Sequence, residues 1–150
     1  MSSKLMIGSI FALAISMNGY AEIPRFIKQI QLPDNHSLIQ VSEGENEPRS
    51  IGSYAIRLYG GANPDFPLDD FITGQIHPRD GSVERVLNTD LNGDGIGEVV
   101  VVIRSAGSGG YLSADVFGWQ NRTLKLTQSI SDLAPKDDPI AELKRLARKK

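Results

Sequence analysis

The chain has 150 residues, 40% of them hydrophobic and none of them cysteine, with a formal charge of −2. Disulfides, thiolate chemistry and cysteine metal sites are therefore excluded, and there is no global positive field to hold nucleic acid or an anionic membrane. The length suits one domain with a real core.

The first residues are read apart from that domain. Lys4 is followed by the apolar stretch LMIGSIFALAISM (residues 5–17), and Asn18, Gly19, Tyr20 and Ala21 end it with small residues at the −3 and −1 positions. This is the pattern of a secretory signal peptide spanning residues 1–21, cut after Ala21. The run is shorter than the roughly 20 residues of a spanning helix, so no membrane anchor is expected. The mature domain is then residues 22–150, with 15 basic and 18 acidic side chains.

Strand signals dominate the rest. FIKQIQL (26–32) and SLIQVSEG (37–44) are separated by Pro33, Asp34 and Asn35, and SYAIRLYG (53–60) alternates with period two. Residues 60–70, with two prolines and two glycines, read as a long turn. Residues 71–77 and 82–87 look like a hairpin across Pro78, Arg79, Asp80 and Gly81. EVVVVIR (98–104) is an unbroken β-branched run of the kind buried on both faces. YLSADVFGW (111–119) and RTLKLTQ (122–128) follow, joined through Gln120 and Asn121. Short strands at this spacing predict an all-β antiparallel sandwich or barrel. From Pro139 onward, Ile140, Leu143, Leu146 and Ala147 recur at helical spacing, which predicts a short amphipathic C-terminal helix with a solvated basic end.

Two loops carry candidate chemistry. DLNGDGIGE places oxygen donors at Asp90, Asn92, Asp94 and Glu98, with the Ile96 carbonyl as a fifth. An EF-hand needs its bidentate acid three positions later, where Val101 stands, so an EF-hand is excluded. The pattern resembles the short calcium loop of integrin-type β-propeller blades, and calcium is one reading of it. The other is an Asx-turn loop whose side chains bond their own amides.

The second loop is AGSGG followed by Tyr111. It is one residue away from G-x-S-x-G, but a strand follows where a nucleophile elbow needs a helix, and His36 and His77 each sit beside a turn signal. A phosphate loop fails for the same reason and lacks its lysine. A flexible hairpin tip explains the glycines but not the serine and tyrosine.

Ser108, Gly109, Gly110 and Tyr111 match the S-G-x-Y loop of the periplasmic inhibitors of I-type (invertebrate-type) lysozymes. The flanking DLNGDG, EVVVVIRS and LSADVF are also similar to that family, and the likeness runs through most of the mature chain. The resemblance implies an eight-stranded antiparallel β-sandwich, exported to the periplasm, that is no enzyme but blocks a lysozyme. It requires no cofactor. Lysozymes cut glycosidic bonds with two carboxyl groups flanking a deep cleft. Ser108 is expected to hydrogen-bond a catalytic carboxylate and Tyr111 to fill a sugar subsite, with Arg104 and Asp115 as loop flanks. The rim of the interface is sought in residues 59–70 and 119–122. A sandwich with open edges is compatible with a monomer or a homodimer. The rival reading is a calcium-dependent carbohydrate or cell-wall binding module built on Asp90 to Glu98.

Overall fold

A computed structural model describes residues 23–34 and 36–149; the signal-peptide expectation for residues 1–21 lies outside the described residues. Eight strands and one helix follow in chain order: β1 (Ile27–Gln31), β2 (Leu38–Glu43), β3 (Ile51–Tyr59), β4 (Phe71–Asp80), β5 (Ser82–Thr89), β6 (Glu98–Arg104), β7 (Leu112–Gly118), β8 (Lys125–Leu133) and α1 (Pro139–Ala147). The first four form one antiparallel sheet and the last four another, each with strands in sequence order. The all-β sandwich with a short C-terminal helix is therefore the observed fold.

Alternation explains which side chains lie between the sheets. Ile39, Val41, Tyr54, Ile56 and Leu58 from the first sheet meet Val83, Val86, Val99, Val101, Ile103 and Phe117 from the second. The other face of β6 is also apolar: Val100 and Val102, with Leu112, Ala114 and Val116 of β7, lie against Leu143 of α1. The unbroken valine run thus serves two layers, one against the opposite sheet and one against the helix. Asp138 caps α1 by accepting from the Ile140 amide at 3.0 Å, and Pro139 stands in the first turn, where it forfeits no hydrogen bond. Trp119 packs half-buried on the inter-sheet core and donates from Nε1 to the Gly97 carbonyl at 2.7 Å, in keeping with its core reading.

The hairpin expected across Pro78 to Gly81 is not formed. β4 continues through Pro78 to Asp80, and the chain then passes at Gly81 from one sheet to the other. Pro78 is tolerated because β4 is an edge strand. Gly81 adopts φ +108°, and a Cβ there would overlap the Arg104 carbonyl oxygen. Arg79 is 2% exposed and fixes the crossover by donating to the carbonyls of Arg49, Pro48, Ser53 and Gly81 and to Glu47. The last strand also begins later than expected. Asn121 and Arg122 both take positive φ in a tight turn closed by the Thr123 amide on the Gln120 carbonyl, so pairing starts at Lys125.

Candidate functional site

Residues 105–111 join β6 to β7 at one end of the sandwich. The Ser105 amide donates to the Tyr111 carbonyl at 2.8 Å, and the Gly110 amide to the Gly107 carbonyl at 3.0 Å. Ser108 and Gly109 are thus the central residues of a closed four-residue turn, and Gly110 leaves it at φ +56°. Both central residues are exposed. Tyr111 is 52% exposed, and its ring folds back over the turn: a Cβ on Gly109 would lie 2.8 Å from the ring's Cδ2. Any side chain at Gly109 would evict the tyrosine. The structure brings Ser108, Gly109, Gly110 and Tyr111 together as one small projecting unit with an exposed serine at its tip and an aromatic plate at its base.

Arg104, at the end of β6, holds this unit from below. Its Nη1 donates to the Gly110 carbonyl at 2.9 Å, while its Nε bonds the carboxylate of Glu84. The expected flank Asp115 does not join it. Its carboxylate accepts from the Tyr54 hydroxyl of the opposite sheet and from Ser129, each at 2.6 Å. Asp115 is an inter-sheet tie, not a loop flank. Burial, and then the Asp115 carboxylate, push the Tyr54 phenol far above the usual tyrosine range, so it remains a donor.

The strand directions place the other loops. Residues 44–50, Gly81 and residues 134–138 lie at the same end as the turn. Residues 60–70, 90–97 and 119–124 lie at the opposite end, about 20 Å away along a seven-residue strand. The rim sought in residues 59–70 and 119–122 therefore lies at the end away from the turn. Residues 44–50 and 134–138 are the neighbours of the turn, and Pro135 comes within 3.9 Å of where a Gly110 Cβ would stand.

At the far end, Asp90 accepts from the amides of Gly93 at 2.7 Å and Gly95 at 2.9 Å. Asp94 accepts from the Ile96 amide, Glu98 from the Leu91 amide, and the Asn92 amide nitrogen lies between Asp94 and Glu98. The Gly95 and Gly93 amides hold the Asp90 carboxyl below its ordinary range. Among the described residues no three His, Asp or Glu converge as a metal-binding group. The loop has the geometry of side chains bonding their own backbone: of the expected calcium donors, the side chains of Asp90, Asn92, Asp94 and Glu98 each accept a backbone amide within it.

Among the described residues no catalytic pair forms around Ser108. His77 points between the sheets, stacked on Tyr54 at 5.6 Å and edge-on to Phe117 at 5.1 Å, and His36 lies in the β1–β2 connection at the far end. No helix among the described residues is long and apolar enough to cross a membrane.

A family model described as periplasmic lysozyme inhibitor of I-type lysozyme matches residues 24–147. A crystal structure of the periplasmic lysozyme inhibitor of I-type lysozyme from Aeromonas hydrophila is 50% identical, with a TM-score of 0.74, covering 79% of this chain and 98% of that one. A second, of the Aeromonas hydrophila inhibitor in complex with Meretrix lusoria lysozyme, is 52% identical with a TM-score of 0.73, covering 79% of this chain and 95% of that one. A search of curated proteins finds no match.

Proposed function

Because the chain belongs to the family of periplasmic inhibitors of I-type lysozyme, we propose that it blocks such an enzyme by lodging the turn at residues 107–111 in the active-site cleft. The protein is an inhibitor and not an enzyme. The observation that carries the mechanism is the projecting turn itself, closed by its own hydrogen bonds, with Ser108 exposed at the tip and Tyr111 half-exposed beside it.

The chemistry follows from what a lysozyme cleft contains. Two carboxyl groups flank the scissile bond, and at least one is ionised during the reaction. The Ser108 hydroxyl donates to such a carboxylate, a charge-assisted contact of about 1.5–3 kcal/mol. Gly107, Gly109 and Gly110 keep the turn thin enough to enter. The Tyr111 ring offers an apolar face of the kind that sugar rings pack against, with a hydroxyl at its edge. A stable interface buries about 1,600 Å² in total, far more than one turn supplies. Residues 44–50 and 134–138 provide the rim. In this reading residues 1–21 direct export and are removed, so the mature protein begins at Glu22 and works in the periplasm, between an incoming lysozyme and the peptidoglycan.

The test is lysis of bacterial cell walls by an I-type lysozyme, with and without the purified mature protein. Wild type is expected to inhibit, and Ser108→Ala with Tyr111→Ala to weaken inhibition at least ~100-fold while leaving the fold intact. A double variant that inhibits as well as wild type would overturn the loop mechanism.

A further inference from the structure

β5 carries one residue more than the strand it pairs with. Val83 faces Ile103 and Arg85 faces Val102, so Glu84 is the extra residue of a β-bulge. Burial shows the same insertion: Val83 and Val86, three apart, both enter the inter-sheet core, where strict alternation would have sent Val83 and Arg85. Glu84, next to the inward Val83, lies outward beside Arg104, and the Glu84 carboxylate receives the Arg104 Nε. The guanidinium is a planar, rigid fork. With one edge seated on Glu84, its Nη1 points at the Gly110 carbonyl and donates there at 2.9 Å. Gly110 lies between Gly109 and Tyr111, in a stretch of four residues that holds three glycines, a composition with high intrinsic backbone freedom.

We propose that Glu84 is a positioning residue for the lysozyme-blocking turn, acting through Arg104; this rests on the loop reading above. Glu84 stands outside the turn, on the edge strand of the second sheet, and serves the site by fixing the guanidinium that holds the Gly110 carbonyl. A turn with three glycines loses much conformational freedom when it is captured in a cleft. Holding its last carbonyl in the free protein reduces that loss, so the contribution falls on the lifetime of the complex.

The test uses the purified mature protein against Meretrix lusoria I-type lysozyme. Glu84→Gln keeps the shape and removes the charge. It is expected to raise the inhibition constant ~5-fold, mainly through faster dissociation, with the melting temperature nearly unchanged. Amide exchange at Gly110 in the free protein should accelerate as well. In an Arg104→Ala background the same change should have no further effect on inhibition. If Ser108→Ala weakens inhibition but Glu84→Gln does not, or if Glu84→Gln acts equally in both backgrounds, the positioning role is overturned and the loop reading stands. If neither the Ser108→Ala, Tyr111→Ala double variant nor Glu84→Gln has any effect, both are overturned.

Discussion

Replacing Tyr54 by Phe isolates a single hydrogen bond between the two sheets. Tyr54 is fully buried, and its hydroxyl donates to Asp115 at 2.6 Å. The ring stays in place in the variant, because its stacking on His77 does not need the hydroxyl. What is lost is a hydrogen bond to a carboxylate, of the order of 1.5–3 kcal/mol. Asp115 keeps Ser129 and some access to water, which places the expected cost near the middle, about 2 kcal/mol. A domain of about 130 residues has an unfolding entropy of roughly 0.27 kcal/mol/K, so the melting temperature should fall by about 7 °C. Calorimetry gives that shift, and lysozyme inhibition is measured well below the transition. Inhibition per folded molecule should equal that of wild type, because the pair lies between the sheets. A melting temperature within ~2 °C of wild type would mean that the bond is worth little. Lost inhibition with the fold intact would mean that Asp115 meets the enzyme after all.

Gly81→Ala should destabilise by at least ~2 kcal/mol, since it forces a side chain into φ +108° against the Arg104 carbonyl; a wild-type melting temperature would refute this account of the crossover. Acid should weaken the fold in a defined window. Asp90, through the Gly95 and Gly93 amides, and Glu47, through the Ser53 amide and hydroxyl, have carboxyls held below their ordinary values. Groups depressed in the folded state stabilise above their unfolded pKa and cease to do so as pH falls through the folded one. The urea midpoint should therefore hold from neutrality to about pH 4 and drop below it, with Asp90→Asn flattening part of that drop; a decline beginning near pH 6 would contradict the assignment. Chelator should change neither inhibition nor melting temperature, because the Asp90 oxygens are engaged by backbone amides; loss of inhibition in EDTA, restored by calcium, would revive the calcium-dependent reading.

The sandwich was legible because most strands alternate or run apolar, and the valine run correctly signalled burial on both faces. The same helix that covers that run hid the role of Asp115. Leu112, Ala114 and Val116 look like the core face of β7, and Ser113 and Asp115 like its wet face; α1 covers the first set, and the second set points between the sheets. Pro78 to Gly81 has the residues of a hairpin turn, and only the burial of Arg79 and the contact of Gly81 with Arg104 distinguish a crossover from a return. The turn at Ser108 could be picked out by composition, since a hydroxyl and a ring on a glycine loop have no structural reason to be there. Glu84 could not. An extra residue in a strand leaves no mark in the sequence except a slip of one in the spacing of Val83 and Val86.

The order of the strands has a consequence for how the chain finds its shape. Every ladder joins strands adjacent in sequence, and one residue, Gly81, divides the two meanders. Loop closure within each sheet is short-range and cheap in entropy, and only the meeting of the two sheets brings distant segments together. We therefore expect the sheets to form early and to dock in the step that limits folding. Tyr54→Phe provides the check: its destabilisation should appear almost wholly as faster unfolding, with a φ-value near zero, whereas a φ-value near one would place the docked interface in the folding nucleus.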